Sequence, residues 1–367
     1  MKFNCNKSEI IEAINTAQKG VTGKSTMTIL QGLYLKAIDG EITLIGSDRD
    51  ISIETKFNAL VEEGGSLVLD SRLFGEIVRR LPNSDIYFKT TENNTLEIIC
   101  NKSKFNIVYM NSDEYPELPF VNEELSLNIN QEILKNMIRG TIFAIAQEET
   151  RPILTGVLFE IKSNTLNMVA LDGYRLALKK SAIDNDDEIR VVIPGKTLNE
   201  VSKIMEEGDK NVNISFTKNH ILFNIENTKI VSILLSGEFI KYSSIIPEEY
   251  SLKITANRSD LLSCIERASL LAKDGNTNLV RFDIGEDDLI ITSNSQFGNV
   301  REEMSISLEG EPIKIAFNSK YLIDVLKIMD EDEIVLEFTS PVSPCILKNK
   351  ENDNCKYLIL PVRLLNN

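Results

Sequence analysis

Apolar side chains recur at helical spacing after three asparagines, Asn6, Asn130 and Asn257. In each segment an acidic residue follows within three positions of the asparagine. Asparagine is a preferred N-cap residue, and an acid in the first turn interacts favourably with the helix dipole. The pattern therefore predicts three helices, whose N-caps are 124 and 127 residues apart.

A second set of three helices is predicted further along the chain. Apolar residues follow Asp70, Pro194 and Asn318 at a spacing of three or four, which is the period of a helix with one buried face. These three starting points are each 124 residues apart. The two sets of helices therefore share one period.

Short runs rich in apolar and β-branched residues lie between the helices and predict strands. They begin at Gly32, Gly156 and Val280, again with a period of 124 residues. Each run is followed by a polar turn and a second apolar run, as in a β-hairpin. The turns contain the dipeptides Asp39-Gly40, Ser163-Asn164 and Glu286-Asp287.

The chain is thus predicted to be three copies of one α+β domain, each with two helices and several antiparallel strands. The domains are expected at 1–121, 127–245 and 248–367. A period of this length is too long for a solenoid repeat, so each copy is a domain by itself. Three such domains either serve unrelated roles or form a curved arc. Two arcs joined head to tail would close a ring.

The net charge of −15 argues against a protein whose outer surface binds DNA, because non-specific DNA affinity comes from neutralising phosphates. It does not exclude a ring that is acidic outside and basic inside. No apolar run is long enough to span a bilayer. The five cysteines are scattered, which indicates reduced thiols and a cytoplasmic protein.

Sequence motifs typical of enzymes and metal sites are sparse. His220 is the single histidine, so no histidine cluster can form, and it is interpreted as a turn residue. The segments at 23–25 and 195–197 read Gly-Lys-Ser and Gly-Lys-Thr but lack the first glycine of a phosphate-binding loop. We predict no catalytic residue, cofactor or metal ion. An enzyme with an unrecognised carboxylate or metal site stays the alternative.

Four segments, in order, resemble the bacterial DNA sliding clamp family, the beta subunits of DNA polymerase III. They are Arg-Pro-Ile-Leu-Thr-Gly-Val-Leu-Phe-Glu at 151–160, Ala-Leu-Asp-Gly-Tyr-Arg-Leu-Ala at 170–177, Val-Ile-Pro-Gly-Lys at 192–196 and Tyr-Leu-Ile-Leu-Pro-Val-Arg-Leu at 357–364. Together with the threefold repeat they cover the whole chain.

The resemblance implies a non-enzymatic processivity factor for DNA replication. In this family a head-to-tail homodimer forms a ring of six domains, with twelve helices lining the hole and sheets outside. The ring encircles double-stranded DNA without reading its sequence. The implied partners are a clamp loader, the polymerase III catalytic subunit, and other polymerases and repair proteins, but no membrane.

The resemblance also implies a pocket between the second and third domains that binds short apolar peptides of partner proteins. Its deep part matches Leu154, Leu171, Gly173, Tyr174, Arg175, Leu176, Ile240, Ile245, Leu358 and Leu360. Its shallower part matches Asn318, Tyr321, Val342, Pro361, Val362 and Arg363.

Two features of this pocket can be read from the sequence. Tyr174 and Arg175 follow an Asp-Gly turn and are expected to be exposed. Ile240 stands where many family members have proline, and the chain continues beyond Leu364. For each apolar residue the alternative is an ordinary core position.

Basic residues on or beside the predicted helices are expected to face DNA. They are Lys24, Arg72, Arg79, Arg139, Arg151 and Lys196. The alternatives are solvated helix faces and a scaffold of tandem domains that never touches DNA.

The dimer joint is expected between the first domain of one chain and the third of the other. One side carries Lys102, Lys104, Phe105 and Ile107 on an edge strand, and the other carries Leu270, Leu271, Glu302 and Glu303. An open strand edge favours pairing, and opposite charges would set its register.

Overall fold

A computed structural model describes residues 1–22, 27–117, 119, 125–148, 150–274 and 278–363. Its α-helices are α1 (Lys7–Ala17), α2 (Ser71–Arg80), α3 (Gln131–Arg139), α4 (Gly195–Ile204), α5 (Arg258–Asp274) and α6 (Ser319–Ile328). Their starting points follow the period predicted from the sequence.

The strands of the first half of the chain are β1 (Lys2–Asn6), β2 (Gly32–Ile38), β3 (Glu41–Ser47), β4 (Ile51–Asn58), β5 (Leu60–Glu63), β6 (Gly65–Asp70), β7 (Asp85–Thr90), β8 (Thr95–Cys100), β9 (Ser103–Val108), β10 (Leu125–Asn130), β11 (Gly156–Lys162), β12 (Thr165–Leu171) and β13 (Arg175–Ala182). Those of the second half are β14 (Ile189–Pro194), β15 (Asn211–Phe216), β16 (His220–Ile225), β17 (Thr228–Ile233), β18 (Leu252–Asn257), β19 (Leu279–Ile284), β20 (Asp288–Ser295), β21 (Gly298–Ser305), β22 (Ser307–Glu309), β23 (Ile313–Asn318), β24 (Glu333–Phe338), β25 (Cys345–Asn349) and β26 (Cys355–Ile359).

The helix starts confirm the predicted caps. The side-chain oxygen of Asn6 accepts a hydrogen bond from the backbone N–H of Ser8 over 2.9 Å. Asn130 accepts from Glu132 over 2.9 Å, and Asn257 accepts from Asp260 over 3.1 Å. Each cap satisfies a helix N–H that has no partner inside the helix.

The residue after each cap forms hydrogen bonds at the end of the second helix of the same repeat or just beyond it. Lys7 Nζ donates to the carbonyl of Arg79, and Arg258 Nη1 donates to that of Leu326. The side chain of Gln131, fully buried, accepts from Glu206 N–H over 3.0 Å and donates to the Asn211 carbonyl over 3.2 Å. In the first and third repeats these bonds link the two helices.

The predicted hairpins form, but the third differs. Asp39, Gly40, Ser163 and Asn164 all have positive φ, as a tight two-residue hairpin turn requires. Glu286 and Asp287 do not have it. There the turn is longer and is closed by a hydrogen bond from Gly285 N–H to the Asp288 carbonyl over 2.8 Å.

Contacts divide the chain into two compact units. The first unit comprises Met1–Glu132 and Thr197–Leu234. It contains a five-stranded sheet, β5-β1-β7-β8-β9, and an eight-stranded sheet, β10-β15-β16-β17-β4-β3-β2-β6. All described pairings are antiparallel. One core contains buried residues of α1, α2 and both sheets, among them Ile14, Leu33, Phe74 and Phe88.

The second unit comprises Ile133–Lys196 and Leu235–Asn367. Its nine-stranded sheet has the order β14-β11-β12-β13-β26-β25-β24-β18-β22, and its four-stranded sheet has the order β21-β20-β19-β23. The long sheet therefore runs from the second sequence repeat into the third. Among the described residues, no helix is both long and apolar enough to cross a membrane.

Two strand pairings link successive repeats in the same way. In the first unit β17 pairs with β4, and Ile230 lies opposite Ile53. In the second unit β26 pairs with β13, and Tyr357 lies opposite Ala177. The corresponding strands of the remaining copies are β9 and β21, and each is the last strand of its sheet.

Candidate peptide-binding site

Four of the predicted pocket leucines lie together in the second unit. Leu154, Leu171, Leu176 and Leu358 are buried in one apolar cluster, and half-buried Ile240 packs against it. Leu176 on β13 lies directly opposite Leu358 on β26. The link between the second and third repeats therefore forms the floor of the predicted pocket.

The turn before β13 orients the next two side chains. Gly173 has φ +95°, in the left-handed region that glycine tolerates. Asp172 Oδ1 accepts hydrogen bonds from the backbone N–H groups of Tyr174 and Arg175, over 2.9 and 3.0 Å. The turn leaves Tyr174 62% exposed and Arg175 only 8% exposed. The expectation of an exposed Tyr174 is confirmed, whereas that for Arg175 is wrong.

Each nitrogen of the buried Arg175 guanidinium has a hydrogen-bond partner, and two aromatic rings lie beside it. Nε donates to Asp172 Oδ2 over 3.0 Å, and Nη1 donates to Asp324 Oδ2 over 2.6 Å. Nη2 donates to the Phe143 carbonyl over 2.6 Å. The Tyr321 and Phe143 rings lie 4.6 and 5.3 Å from the guanidinium carbon. Such pairing is what allows a charge to be buried.

The shallower part joins this site through backbone and ring contacts. The Tyr174 and Tyr321 rings stack with centroids 6.3 Å apart. Leu360 N–H donates to the Tyr174 carbonyl over 2.9 Å, and Val362 N–H donates to the Ala316 carbonyl over 2.8 Å. Burial raises the pKa of Tyr321 above its ordinary value.

The other predicted residues lie at the surface or at element ends. Asn318 is the N-cap of α6, because its side-chain oxygen accepts from Lys320 N–H over 3.0 Å. Pro361 is half-buried and Arg363 is exposed. Ile245 and Val342 are exposed and do not belong to the leucine cluster. Residues 364–367 lie outside the described residues.

A groove beside Ile240 contains residues that the sequence did not indicate. It has a volume of about 380 Å³. It is lined by Arg151, Pro152, Ile153, Leu154, Ser236, Gly237, Glu238 and Ile240. Pro152 begins a short 3₁₀ helix, Pro152–Thr155, which turns Ile153 and Leu154 toward the 236–240 segment. A proline at the first position of a helix was the available signal.

The corresponding positions of the other repeats are polar. In the first repeat Leu171 and Leu176 correspond to Ser47 and Ser52, whose hydroxyls are 2.7 Å apart and hydrogen-bonded. In the third repeat the aligned positions on β20 and β21 are Asn294 and Asn299, which lie opposite each other. Among the three repeats, an apolar floor exists at the second.

Four of the basic residues predicted to face DNA are on helices. Arg72 is highly exposed on α2 and pairs with Glu76 over 3.0 Å. Arg79 donates to the side chains of Asn15 and Gln18, over 3.0 and 3.3 Å. Arg139, at the end of α3, pairs with Asp330 over 3.1 Å.

The remaining three members are Lys196, Arg151 and Lys24. Lys196 is exposed in the first turn of α4. Arg151 precedes a 3₁₀ helix and lines the groove beside Ile240. Lys24 lies outside the described residues. DNA contact by any of them stays a prediction.

The predicted dimer edge of the first repeat is an open strand. Lys104 and Phe105 are exposed on β9, and Lys102 is exposed in the turn before it. Ile107 is buried in the core of the first unit, so it is not an exposed contact residue. Ile107 shares a face of β9 with Phe105, but Ile107 packs against the core whereas Phe105 remains 39% exposed.

The other predicted edge is β21, which carries Glu302 and Glu303. Leu270 on α5 is 67% exposed, and Leu271 is half-buried. The charges already have partners within the chain. Glu302 pairs with Arg267 over 2.5 Å, Glu303 pairs with Arg301 over 2.8 Å, and Lys104 pairs with Glu97. Charge pairing across the joint would therefore require partner exchange, so apolar contact and strand pairing are better suited to hold it.

Within the part of the chain that the structure describes, no three histidine, cysteine or acidic residues are grouped to hold a metal ion. The described cysteines are free and buried.

Comparison with known proteins matches all three repeats to one family. Residues 1–119, 128–241 and 243–363 match the N-terminal, central and C-terminal domains of the DNA polymerase III beta subunit. Beta sliding clamps of Staphylococcus epidermidis and Staphylococcus aureus are each 37% identical to the chain, and the alignments cover 99% of both proteins.

Solved structures of the same family are also similar to this chain. The DNA polymerase sliding clamp of Bacillus subtilis has a TM-score of 0.97 at 36% identity, over 100% of both chains. A putative DNA polymerase III beta subunit from Eubacterium rectale has a TM-score of 0.95 at 38% identity, over 99% of both. The chain belongs to the beta sliding clamp family, the non-catalytic processivity subunits of DNA polymerase III.

Proposed function

We propose that two copies of this chain join head to tail into a ring that encircles double-stranded DNA. The ring is loaded by a clamp loader and tethers the polymerase III catalytic subunit, other polymerases and repair proteins. These partners bind through short apolar peptides in the pocket built from the second and third repeats. The ring acts in the cytoplasm, independently of DNA sequence and away from membranes.

The observation that carries the ring is the repeated strand pairing. The β17–β4 and β13–β26 pairings link the first repeat to the second and the second to the third. The equivalent β9 and β21 each end a sheet. A second copy supplies the missing strand to each, and two such joints close a head-to-tail ring. The proposed domains are 1–121, 127–245 and 248–367.

The two internal pairings also give a register for the joint. Ile230 lies opposite Ile53, and Tyr357 lies opposite Ala177. The hairpin pairs Cys100–Ser103 and Ile225–Thr228 place β9 125 residues before β17, and the pairs Leu171–Leu176 and Asn294–Asn299 place β21 123 residues after β13. These offsets put Phe105 opposite Val300 of the second copy, which is again an apolar pair. Ser103 then lies opposite Glu302, and Lys104 opposite Arg301. Lys104 and Arg301 keep their acidic partners within each chain, Glu97 and Glu303 respectively.

The pocket is supported by its apolar floor and its exposed rim. Exposed Tyr174, Leu360 and Val362 surround buried leucines at one strand pairing. Burial of an apolar peptide there would gain about 25 cal/mol for each Å² removed from water. The polar counterparts in the other repeats favour one such pocket per chain.

DNA contact is supported by basic side chains in the first turns of the second helices, Arg72, Lys196 and Lys320. Ion pairs such as Arg72–Glu76 are exposed, so the arginine can exchange to a phosphate at little cost. Few exchangeable contacts suit sliding, because each phosphate neutralised adds to a static grip.

Retention on circular DNA tests encirclement. The protein is loaded on a nicked circle with its own species' clamp loader and ATP, and half of the sample is then linearised. Topological linkage predicts retention on the circle and loss from the linear form. Equal retention on both would mean direct contact binding and would overturn the proposal. It would instead favour a protein that binds DNA by its surface.

A further inference from the structure

The buried Arg175 of the pocket faces two carboxylates rather than one. Asp172, in the turn that precedes β13, holds Nε, while Asp324, on α6, holds Nη1 over the shorter distance of 2.6 Å. Asp172 has a second role, because its other oxygen accepts the backbone N–H groups of the turn. Asp324 has no such local role among the described contacts, and it lies 149 residues from Arg175.

The position of Asp324 on α6 determines what its ion pair controls. Tyr321 lies one turn earlier on the same helix, and its ring covers the Arg175 guanidinium at 4.6 Å. The same ring stacks on Tyr174, which is exposed at the pocket's rim. Residues three apart on a helix share a face. The ion pair and the ring contact therefore hold α6 against β13 at two adjacent points.

We propose that Asp324 is a positioning residue of the peptide pocket. Through Arg175 it fixes the Tyr321 ring against Tyr174 and so sets the shape of the pocket wall against which an apolar peptide side chain packs. Asp324 does not touch the peptide. The inference rests on the proposed peptide-binding function of this site, and it adds a residue that lies beneath the rim.

Asp324 has physical properties that suit this role. The Arg175 side chain is 8% exposed and that of Asp324 is 29% exposed, so loss of Asp324 removes one of the two carboxylates that compensate a buried charge. Arg175 would retain Asp172 and the Phe143 carbonyl, so it would stay buried but lose its anchor on α6. We therefore expect the rim to change shape while the leucine floor is preserved.

The test measures binding of the polymerase III catalytic subunit of the same species to the immobilised full-length clamp. The variants are Asp324→Ala, Asp324→Asn, Arg175→Ala and the Asp324→Ala/Arg175→Ala double variant. We expect Asp324→Ala to weaken binding at least tenfold. Asparagine keeps the acceptor oxygen at the same place, so Asp324→Asn should recover affinity to within about threefold of the wild type.

The double variant separates positioning from direct contact. If Asp324 acts through Arg175, removing it from the Arg175→Ala protein changes the affinity less than twofold. An undiminished loss in that background would show that Asp324 contacts the partner itself, and it would overturn the proposal. Asp324→Ala within threefold of the wild type would also overturn it.

Two control variants complete the design. Ile291→Val removes one buried methyl group from the four-stranded sheet and controls for a general loss of stability. An equal loss of affinity in this variant would reduce Asp324 to a purely structural role and overturn the proposal. Leu360→Ala alters the rim directly. If it leaves binding unchanged, the proposed function fails; if it weakens binding while Asp324→Ala does not, only the role of Asp324 fails.

Discussion

Leu176 and Leu358 lie directly opposite each other on β13 and β26, although 182 residues separate them in the sequence. Both are buried in the cluster that also contains Leu154 and Leu171. The same strand pairing therefore links two sequence repeats and forms the floor of the candidate pocket. Linkage of the repeats and the proposed peptide binding therefore depend on one structural element.

Leu360 follows this floor and should contribute directly to partner binding. Its side chain is partly exposed, and its backbone N–H is fixed by the Tyr174 carbonyl. Leu360→Ala removes apolar surface from the pocket, so we expect polymerase III catalytic subunit affinity to fall about tenfold, the equivalent of ~1.4 kcal/mol. The free energy of unfolding should change little. Leu60→Ala, at an exposed leucine on β5, is the control, and an equal effect there would contradict the prediction.

Leu270 and Leu271 should stabilise the dimer. Leu270 is exposed on α5, beside the open β21 edge, and Leu271 is half-buried. Replacing both by alanine removes apolar surface from each joint, so we expect the dimer Kd to rise by at least a hundredfold. Sedimentation at a series of concentrations measures this change. An unaltered Kd would exclude this surface from the interface.

Arg72 and Arg79 should contribute to DNA binding through their charge. For each phosphate that is no longer neutralised, the slope of log affinity against log salt falls by about 0.9 in magnitude. The Arg72→Ala/Arg79→Ala variant is therefore expected to lower that slope by roughly 1.8, as measured with a short labelled duplex in rising KCl. Lys36→Ala/Lys89→Ala, at exposed strand positions, is the matched control. Equal slopes for the two double variants would contradict the assignment.

The thiol of Cys5 gives a prediction for alkaline pH. Burial raises the pKa of Cys5 to about 12 in the folded protein. In the unfolded chain a thiol titrates near pH ~8.5. The folded state therefore holds its proton more tightly, and this contribution to stability is complete below pH ~8.5 and is lost as the pH rises through 12.

Urea unfolding between pH 8 and 10 tests this sign. The wild type should lose more stability over that range than Cys5→Ala, which has no thiol to titrate. In the folded protein, thiol reagents at pH 8 should leave Cys5 unmodified, whereas in urea it should react. Rapid modification of native Cys5 would show that the site is open to solvent.

The sequence period was sufficient to place the predicted helices and one hairpin in each repeat, because N-caps and alternating apolar runs are local signals. Asn6, Asn130 and Asn257 cap helices as predicted. The third hairpin differed because Glu286 and Asp287 do not take the positive φ of a tight turn. Local chemistry thus determined most of the secondary structure.

The site was predictable only in part. The family resemblance identified the leucines of the floor. It did not indicate that Arg175 is buried, because its partner Asp324 lies 149 residues away in the sequence. Burial of Ile107 and the internal pairing of Lys104 and Glu302 also depend on tertiary contacts. Such contacts have no local signature in one sequence.

Encirclement of DNA is tested most directly by closing the ring covalently around it. Cysteines replace Phe105 and Val300, which should lie opposite each other across the joint, where Cβ atoms are about 4.5–5.5 Å apart. The protein is loaded on a nicked circle, oxidised and washed with detergent. Phe105→Cys/Arg301→Cys, one residue out of register, controls for non-specific oxidation. If the ring encircles DNA, the Phe105→Cys/Val300→Cys ring stays on the circle through the wash and leaves once the DNA is linearised. Release of the cross-linked protein from intact circles would contradict encirclement.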